Sequence, residues 1–336
     1  MNRPQTSTSN STVREPASTD TKKTGVLLLH GLTGMPSEMR PVQKHLLRQG
    51  FKVSVPLLPG HGGSHKELLA SNWQSWLKGA KAALDELYLE CDKVIVGGLS
   101  MGSLLSVALA AQDKRVSGIV LLSTTLKYDG YSIPRGPVWS LLTLCKYVPV
   151  FGHHLFWTES PPYGLKDQRL QKKITEAVEA AKRGESNHFG LFRTYGGSLV
   201  QLGNLVEHVK KVAPQVECPS FIVHATEDSM TSVRNAHTIH GLLGCAQKTM
   251  SFIDGCDHVL TLDLQKHEVA RQFGEFVNSI HQNKRFELSA SENKGSLVET
   301  SPWSEPVASP ANNPEPRYND LVAASAMAGS IIAEPA

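Results

Sequence analysis

Lys93-Val94-Ile95-Val96-Gly97-Gly98-Leu99-Ser100-Met101-Gly102-Ser103 is the stretch from which the rest of the chain can be ordered. Val94-Ile95-Val96 is a β-branched run, which suits a short interior strand of a parallel sheet covered on both faces. From Ser103 the chain continues Ser-Leu-Leu-Ser-Val-Ala-Leu-Ala-Ala-Gln to Gln112, a run of small and aliphatic residues that predicts a helix packed on that sheet. Between them stands Gly98-Leu99-Ser100-Met101-Gly102, a Gly-x-Ser-x-Gly pattern. A serine at such a strand–turn–helix junction is forced into a sharp turn, and its hydroxyl projects from the sheet edge. The flanking glycines are needed because neighbouring backbone passes too close for a Cβ. The five-residue pattern alone is common by chance. Its flanking strand and helix make Ser100 the expected nucleophile rather than a residue that merely caps a helix.

Working outward, Val26-Leu27-Leu28-Leu29-His30 is a second continuous apolar run and predicts another buried strand. Ser37 to Gln49 has helical spacing, with Met39, Val42, Leu46 and Leu47 on one side and Gly50 as a stop. Phe51 to Val55 reads as a strand, Trp73 to Leu89 as a helix and Val116 to Leu122 as a strand. After a break, Phe221 to Ala225 restarts the sheet, followed by a helix over Ser232 to Leu243, a strand over Lys248 to Ile253 and a helix over Gln265 to Gln282. Strands alternating with helices predict an α/β fold with a doubly wound, mostly parallel sheet. The expected core is 25–125 and 220–283. Residues 126–219 lack β-rich runs and read as an inserted helical cap.

A serine hydroxyl is a weak nucleophile near neutral pH. It needs a general base, and the base needs an orienting carboxylate. In hydrolases with a serine elbow on such a sheet, the acid and then the histidine follow the serine along the chain. Strand Phe221–Ala225 runs into Thr226-Glu227-Asp228, and strand Lys248–Ile253 runs into Asp254-Gly255-Cys256-Asp257-His258. Both sets fall at C-terminal strand edges, where ligands gather in open α/β sheets. Asp228 is the expected acid, with Glu227 as its rival, and His258 is the expected base. The tetrahedral intermediate also needs backbone donors. The N–H of Met101, just after the nucleophile, and that of Leu32, in the turn His30-Gly31-Leu32-Thr33-Gly34, are the expected pair. Pro59-Gly60-His61-Gly62 reads as a structural turn from which His61 could reach the site. No metal is expected: His153 and His154 are adjacent and point different ways, and no H-E-x-x-H or spaced Cys/His set occurs.

These blocks resemble the α/β-hydrolase superfamily, and most closely its bacterial carboxylesterase and monoacylglycerol lipase branch. The resemblance is carried by Leu28-Leu29-His30-Gly31-Leu32-Thr33-Gly34, Pro59-Gly60-His61-Gly62, the Ser100 elbow, His224-Ala225-Thr226-Glu227-Asp228 and Asp257-His258-Val259-Leu260-Thr261-Leu262-Asp263. The last block is the most specific of them. The resemblance spans roughly Gly25 to His281 and implies hydrolysis of carboxylic esters with Ser100, Asp228 and His258 as the triad, without a cofactor. The long cap and both tails depart from it.

The cap suggests which esters. Val138 to Phe151 is apolar with one lysine, Lys146, and Phe156 and Trp157 follow it. One reading is a lid whose Leu142, Leu144 and Phe151 line a pocket for medium or long acyl chains, or touch a lipid surface. The other is ordinary packing of the cap on the core. Lys166 to Arg183, charged on one face, reads as a solvated helix. A thioesterase or acyltransferase would use the same triad and differ only in the acceptor. A non-catalytic lipid-binding hydrolase fold would have no need of all three triad residues.

Composition bounds the remainder. The chain has 336 residues and is 40% hydrophobic, enough for a substantial core. A net charge of +3 and the lack of a basic arm with interleaved aromatics argue against nucleic-acid binding. Five scattered cysteines form no C-x-x-C pair and read as reduced thiols in a cytoplasmic protein. Residues 1–24 are rich in Ser, Thr, Asn and Pro and carry no apolar signal segment, and 284–336 is Ser-, Pro-, Glu- and Asn-rich. Both are expected to be disordered tails, because they cannot bury enough apolar surface to offset the entropy of ordering. Leu321 to Ala333 is mildly apolar and is read as loose tail. Nothing in the sequence decides the oligomeric state.

Overall fold

The computed structural model of the protein describes residues 23–133, 143–183, 190–288 and 332–333. Its centre is a six-stranded parallel sheet built from β1 (Thr24–Leu29), β2 (Lys52–Ser54), β3 (Lys93–Leu99), β4 (Val116–Leu122), β7 (Ser220–Ala225) and β8 (Lys248–Ile253). The order across the sheet is β2-β1-β3-β4-β7-β8. β1 and β3 run in register from Thr24↔Lys93 to Leu29↔Gly98, so the first turn and the serine elbow emerge side by side.

Alternation along each strand sends successive side chains to opposite faces. Leu27, Leu29, Val96, Leu121 and Ile222 pack under α3 (Trp73–Tyr88) and α4 (Met101–Gln112). Val26, Leu28, Ile95, Val120, Phe221 and Val223 pack under α1 (Arg40–Arg48) and α9 (Lys266–His281). All these side chains are buried, and each contributes roughly 1.5–3 kcal/mol by leaving water. The continuous apolar runs of the sequence are therefore strands with helices on both sides. α3 starts where Asn72 caps it, Oδ1 accepting the Ser75 N–H at 2.9 Å while the Ser75 hydroxyl reaches back to the Asn72 N–H.

The region between β4 and β7 differs from a purely helical insertion. It contains α5 (Pro149–His154), β5 (Leu155–Thr158), α6 (Gln168–Lys182), β6 (Arg193–Tyr195) and α7 (Gly196–Val212). β5 and β6 form an antiparallel pair, and Ile332–Ala333 (β9) pairs with the other edge of β5. α7 packs on α4 and α3, and Leu202, Leu205, Val206 and Val209 join their core cluster. α7 thus belongs to the packing of the sheet layer, although the sequence break had placed it in the cap. Its apolar residues recur at helical spacing on one face, and the small residues of α4 let that face approach.

The core also runs past 283. Phe286 is buried, with its ring centroid 4.9 Å from that of Phe221 and 5.2 Å from that of Phe276. Residues 1–22, and most of the stretch after Leu288, lie outside the described residues. No helix among the described residues is long and apolar enough to cross a membrane.

Candidate active site

β3 ends at Leu99 and α4 begins at Met101, leaving Ser100 between them at φ 55° and ψ −111°. A non-glycine residue held there stores strain of order 1–3 kcal/mol and persists only where its surroundings hold it. The Ser100 N–H donates to the Leu122 carbonyl at 2.8 Å, tying the elbow to the end of β4. A Cβ on Gly98 would lie 2.1 Å from the Gly102 backbone, and one on Gly102 would lie 2.2 Å from the Leu29 carbonyl oxygen. Both glycines of the motif are sterically obligatory.

The two later strands bring the other expected residues to this point. His258 Nε2 lies 3.1 Å from Ser100 Oγ, and its Nδ1–H donates to Asp228 Oδ2 at 2.8 Å. All three residues are buried. Asp228 also accepts the N–H groups of Met230 and Thr231 and the Thr231 hydroxyl, at 2.8–2.9 Å. Glu227, the rival acid, points to solvent and pairs with Lys166. Burial alone would depress the His258 pKa. The Asp228 carboxylate beside it outweighs burial, and the histidine titrates above its ordinary value of 6.5. Burial would likewise raise Asp228, but His258, His224 and the donors around it hold that carboxyl below its usual range.

The turn after β1 sits against Ser100. A Cβ on Gly31 would stand 3.7 Å from Ser100 Cβ. Met101 is the first residue of α4, where a backbone N–H has no carbonyl partner within the helix. Leu32 follows Gly31 in this turn, and Thr33 has φ 62°. His30 clamps the turn from behind: its Nε2 accepts the Leu58 N–H at 3.2 Å and its Nδ1–H donates to Gly31 O at 2.9 Å. His61 does not reach the site. It is buried against His30 and Trp76, ring centroids 4.9 Å and 5.7 Å away, and burial pushes its pKa down to about 4.

Beside Ser100 and His258 opens a cavity of about 210 Å³, with Ile133, Trp157, Leu165, Ile174, Val259 and Leu262 in its wall. Leu144 and Phe151 do not line it. Leu144, ahead of α5, is 38% exposed, and Phe151 is 42% exposed on α5, which packs inward through Gly152, whose Cβ position lies 3.0 Å from the Gly197 backbone. Leu142 lies outside the described residues. The apolar wall is supplied instead by β5, by the segment leading into α6 and by the residues just after His258.

Several residues at the site carried no sequence signal. Glu38 and Glu159 both line the cavity. Burial raises both carboxyls to about 7, and the neighbouring Glu159 pushes Glu38 in the same direction. Glu38 also accepts the Gly31 N–H at 2.9 Å. Thr125 lies against Ser100, with 2.8 Å between their hydroxyl oxygens. Asp257 and Asp263 stand within a motif read from the sequence, although only their neighbour His258 drew attention there. Asp257 accepts the N–H groups of Ser229 and His258, both at 2.7 Å. The fully buried Asp263 accepts those of Asp257, Lys166, Asp167 and Leu264 at 2.7–2.9 Å. No group of three or more potential metal ligands occurs among the described residues, and all five cysteines are free thiols.

A sheet that delivers serine from one strand and returns acid and histidine, in that order, from two later strands has the arrangement of the α/β-hydrolases. The chain belongs to the family described as serine aminopeptidase, S33 (Hydrolase_4), whose model matches residues 20–265. It is 26% identical over 262 residues to a thermostable monoacylglycerol lipase of Bacillus sp. (strain H-257), covering 78% of this chain and 93% of that one. It is 23% identical over 256 residues to a carboxylesterase of Bacillus subtilis (strain 168), covering 76% and 92%. Among solved structures it resembles a metagenome-derived lipolytic enzyme, with TM-score 0.64 and 25% identity, over 77% of this chain and 95% of that one. The monoacylglycerol lipase of Paleococcus ferrophilus shares the fold at TM-score 0.62 and 20% identity, over 76% and 94%. The protein is a serine hydrolase of the esterase and lipase kind.

Proposed function

We propose that the protein hydrolyses neutral carboxylic esters with medium or long acyl chains through an acyl-enzyme on Ser100. The observation that carries this reading is the unbroken hydrogen-bonded line from Ser100 Oγ through His258 to Asp228 at the mouth of an apolar cavity. The serine oxygen attacks the ester carbonyl carbon while His258 Nε2 takes its proton. The carbonyl π electrons move onto oxygen, where the N–H groups of Leu32 and Met101 receive the charge. Collapse breaks the bond to the alcohol oxygen, and His258 returns the proton to the departing alcohol. Water activated by the same histidine then releases the acid and restores Ser100.

The apolar cavity wall supports recognition of an acyl chain through buried methylenes. Each contributes about 0.8 kcal/mol, up to roughly fourfold in kcat/KM. Above a pH of about 7, where they are charged, Glu38 and Glu159 in the same cavity disfavour substrates with an anionic head, which supports simple esters over acyl-CoA thioesters. Tyr147, Val148, Val150 and Phe151, exposed together on the cap, support peripheral contact with the lipid surface from which such a substrate would come. The five free thiols support a reducing, cytoplasmic setting.

Ser100→Ala tests the reading directly. With p-nitrophenyl esters of graded length, turnover should fall by several orders of magnitude while thermal unfolding stays cooperative. Retention of a tenth of the wild-type rate would overturn the assignment. A wild-type enzyme that prefers acetate would overturn the chain-length part alone.

A further inference from the structure

Ser100 Oγ has a second hydroxyl partner besides His258, and the triad chemistry does not account for it. Thr125 Oγ1 lies 2.8 Å from it, and Thr125 is 1% exposed. Its position is fixed on both sides. The preceding Ser123, at φ 44°, donates its N–H to Val223 O at 2.9 Å. The following N–H groups of Leu126 and Lys127 both donate to Asn235 Oδ1, at 2.9 and 2.8 Å. Among the described residues, the other acceptor of the Thr125 hydroxyl is the Ser123 carbonyl, at 3.3 Å.

We propose that Thr125 is a catalytic residue of this site: its hydroxyl donates to Ser100 Oγ while His258 draws off the serine proton, and accepts from Ser100 when His258 is protonated. The proposal rests on Ser100 being the nucleophile. Every proton has an acceptor in both arrangements, two of them with neutral His258 and three with protonated His258. With neutral His258, Thr125 O–H donates to Ser100 Oγ and Ser100 O–H donates to His258 Nε2. With protonated His258, Nε2–H donates to Ser100 Oγ, Ser100 O–H donates to Thr125 Oγ1, and Thr125 O–H turns to the Ser123 carbonyl. During deacylation the bond between the acyl carbon and Oγ breaks, and its electron pair stays on Oγ. His258 supplies the proton that ends there, and Thr125 keeps its own while stabilising the oxygen as it leaves.

Removing the hydroxyl has two consequences. The alkoxide-like oxygen loses a donor, which slows both acylation and deacylation. The protonated resting form loses the acceptor for the serine proton and leaves a buried donor unpaired, the costlier omission, so His258 should deprotonate at lower pH. The charged and titratable groups facing His258 are Asp228, Asp257 and Glu38, with Glu159 and His224 also in electrostatic reach; all are unchanged by the substitution.

The test compares Thr125→Val, Thr125→Ser and Ser100→Ala in the full chain. It reads kcat/KM for p-nitrophenyl butyrate from pH 5 to 9 and the rate of phosphonylation by a fluorophosphonate. Thr125→Val should lose about three- to tenfold in plateau kcat/KM, the size of one hydrogen bond. It should react more slowly with the fluorophosphonate and shift its acid limb to lower pH, while Thr125→Ser stays within twofold of wild type. A Thr125→Val enzyme within twofold of wild type with an unmoved acid limb overturns the inference. So does a Thr125→Ser enzyme as impaired as Thr125→Val, because the methyl and not the hydroxyl would then matter. If Thr125→Val unfolds early, Thr125→Ala is read by the same criteria. An active Ser100→Ala overturns the parent reading. An inert Ser100→Ala beside a wild-type-like Thr125→Val overturns this one alone.

Discussion

Glu38 and Asp228 are both carboxyls set near His258, and their surroundings treat them oppositely. Asp228 is surrounded by donors and stays ionised, whereas Glu38 has the Gly31 N–H and an acidic neighbour, and burial lifts it to about 7. Glu38 therefore acquires its charge around neutral pH, and that charge pushes His258 further up. Because a histidine with a raised pKa becomes a free base only above that pKa, activity should rise with pH to a plateau, its midpoint above the ordinary histidine value. Glu38→Gln keeps an acceptor for Gly31 and removes the charge. Its acid limb in kcat/KM should move to lower pH, and an unmoved limb would show that Glu38 does not act on the base. At this scale the sequence was legible where order along the chain decides which residues are brought together. Asp228 followed from its place after β7, and His258 from its place after β8. Glu38, Glu159 and Thr125 had no local pattern to announce them, because segments far apart in sequence bring them to Ser100 or to the cavity beside it.

At the scale of elements, strands buried on both faces read clearly, since continuous apolar runs such as Val26–Leu29 leave few alternatives. β5 and β6 were not legible: they span four and three residues and form a strand pair only in tertiary context. α7 was misplaced for a different reason, because its apolar face predicts burial without saying against what. The exposed apolar residues of α5 and its approach form the element with the most to test. Phe151→Asp should weaken binding to phosphatidylglycerol-containing vesicles several-fold and slow turnover of emulsified substrate, while leaving soluble p-nitrophenyl butyrate within about twofold. Equal losses on both substrates would assign the residue to cap packing instead.

At the scale of the whole molecule, the sheet's core is continued past residue 283 by Phe286, with Leu288 packed on the same cluster. Phe286 closes the lower face of the sheet over Phe221 and Phe276, three positions beyond the point where composition turns polar. A short apolar residue within a polar stretch has no periodicity, so its docking could not be read from the sequence. A chain of residues 20–288 should keep the full thermal stability of the core. Phe286→Ala within it should cost about 3 kcal/mol and lower Tm by several degrees, measured by calorimetry. An unchanged Tm would show that the ring is dispensable.

Asp263 joins parts of the molecule that the chain keeps far apart. One buried carboxylate holds the backbone of Lys166 and Asp167, at the entry to α6, and that of Asp257, next to His258. The two segments are interlocked. A cap that swung away at this corner would pull on the loop that carries His258. The loop that carries His258 and the entry to α6 are held by one carboxylate, so they stay in place or shift as one piece.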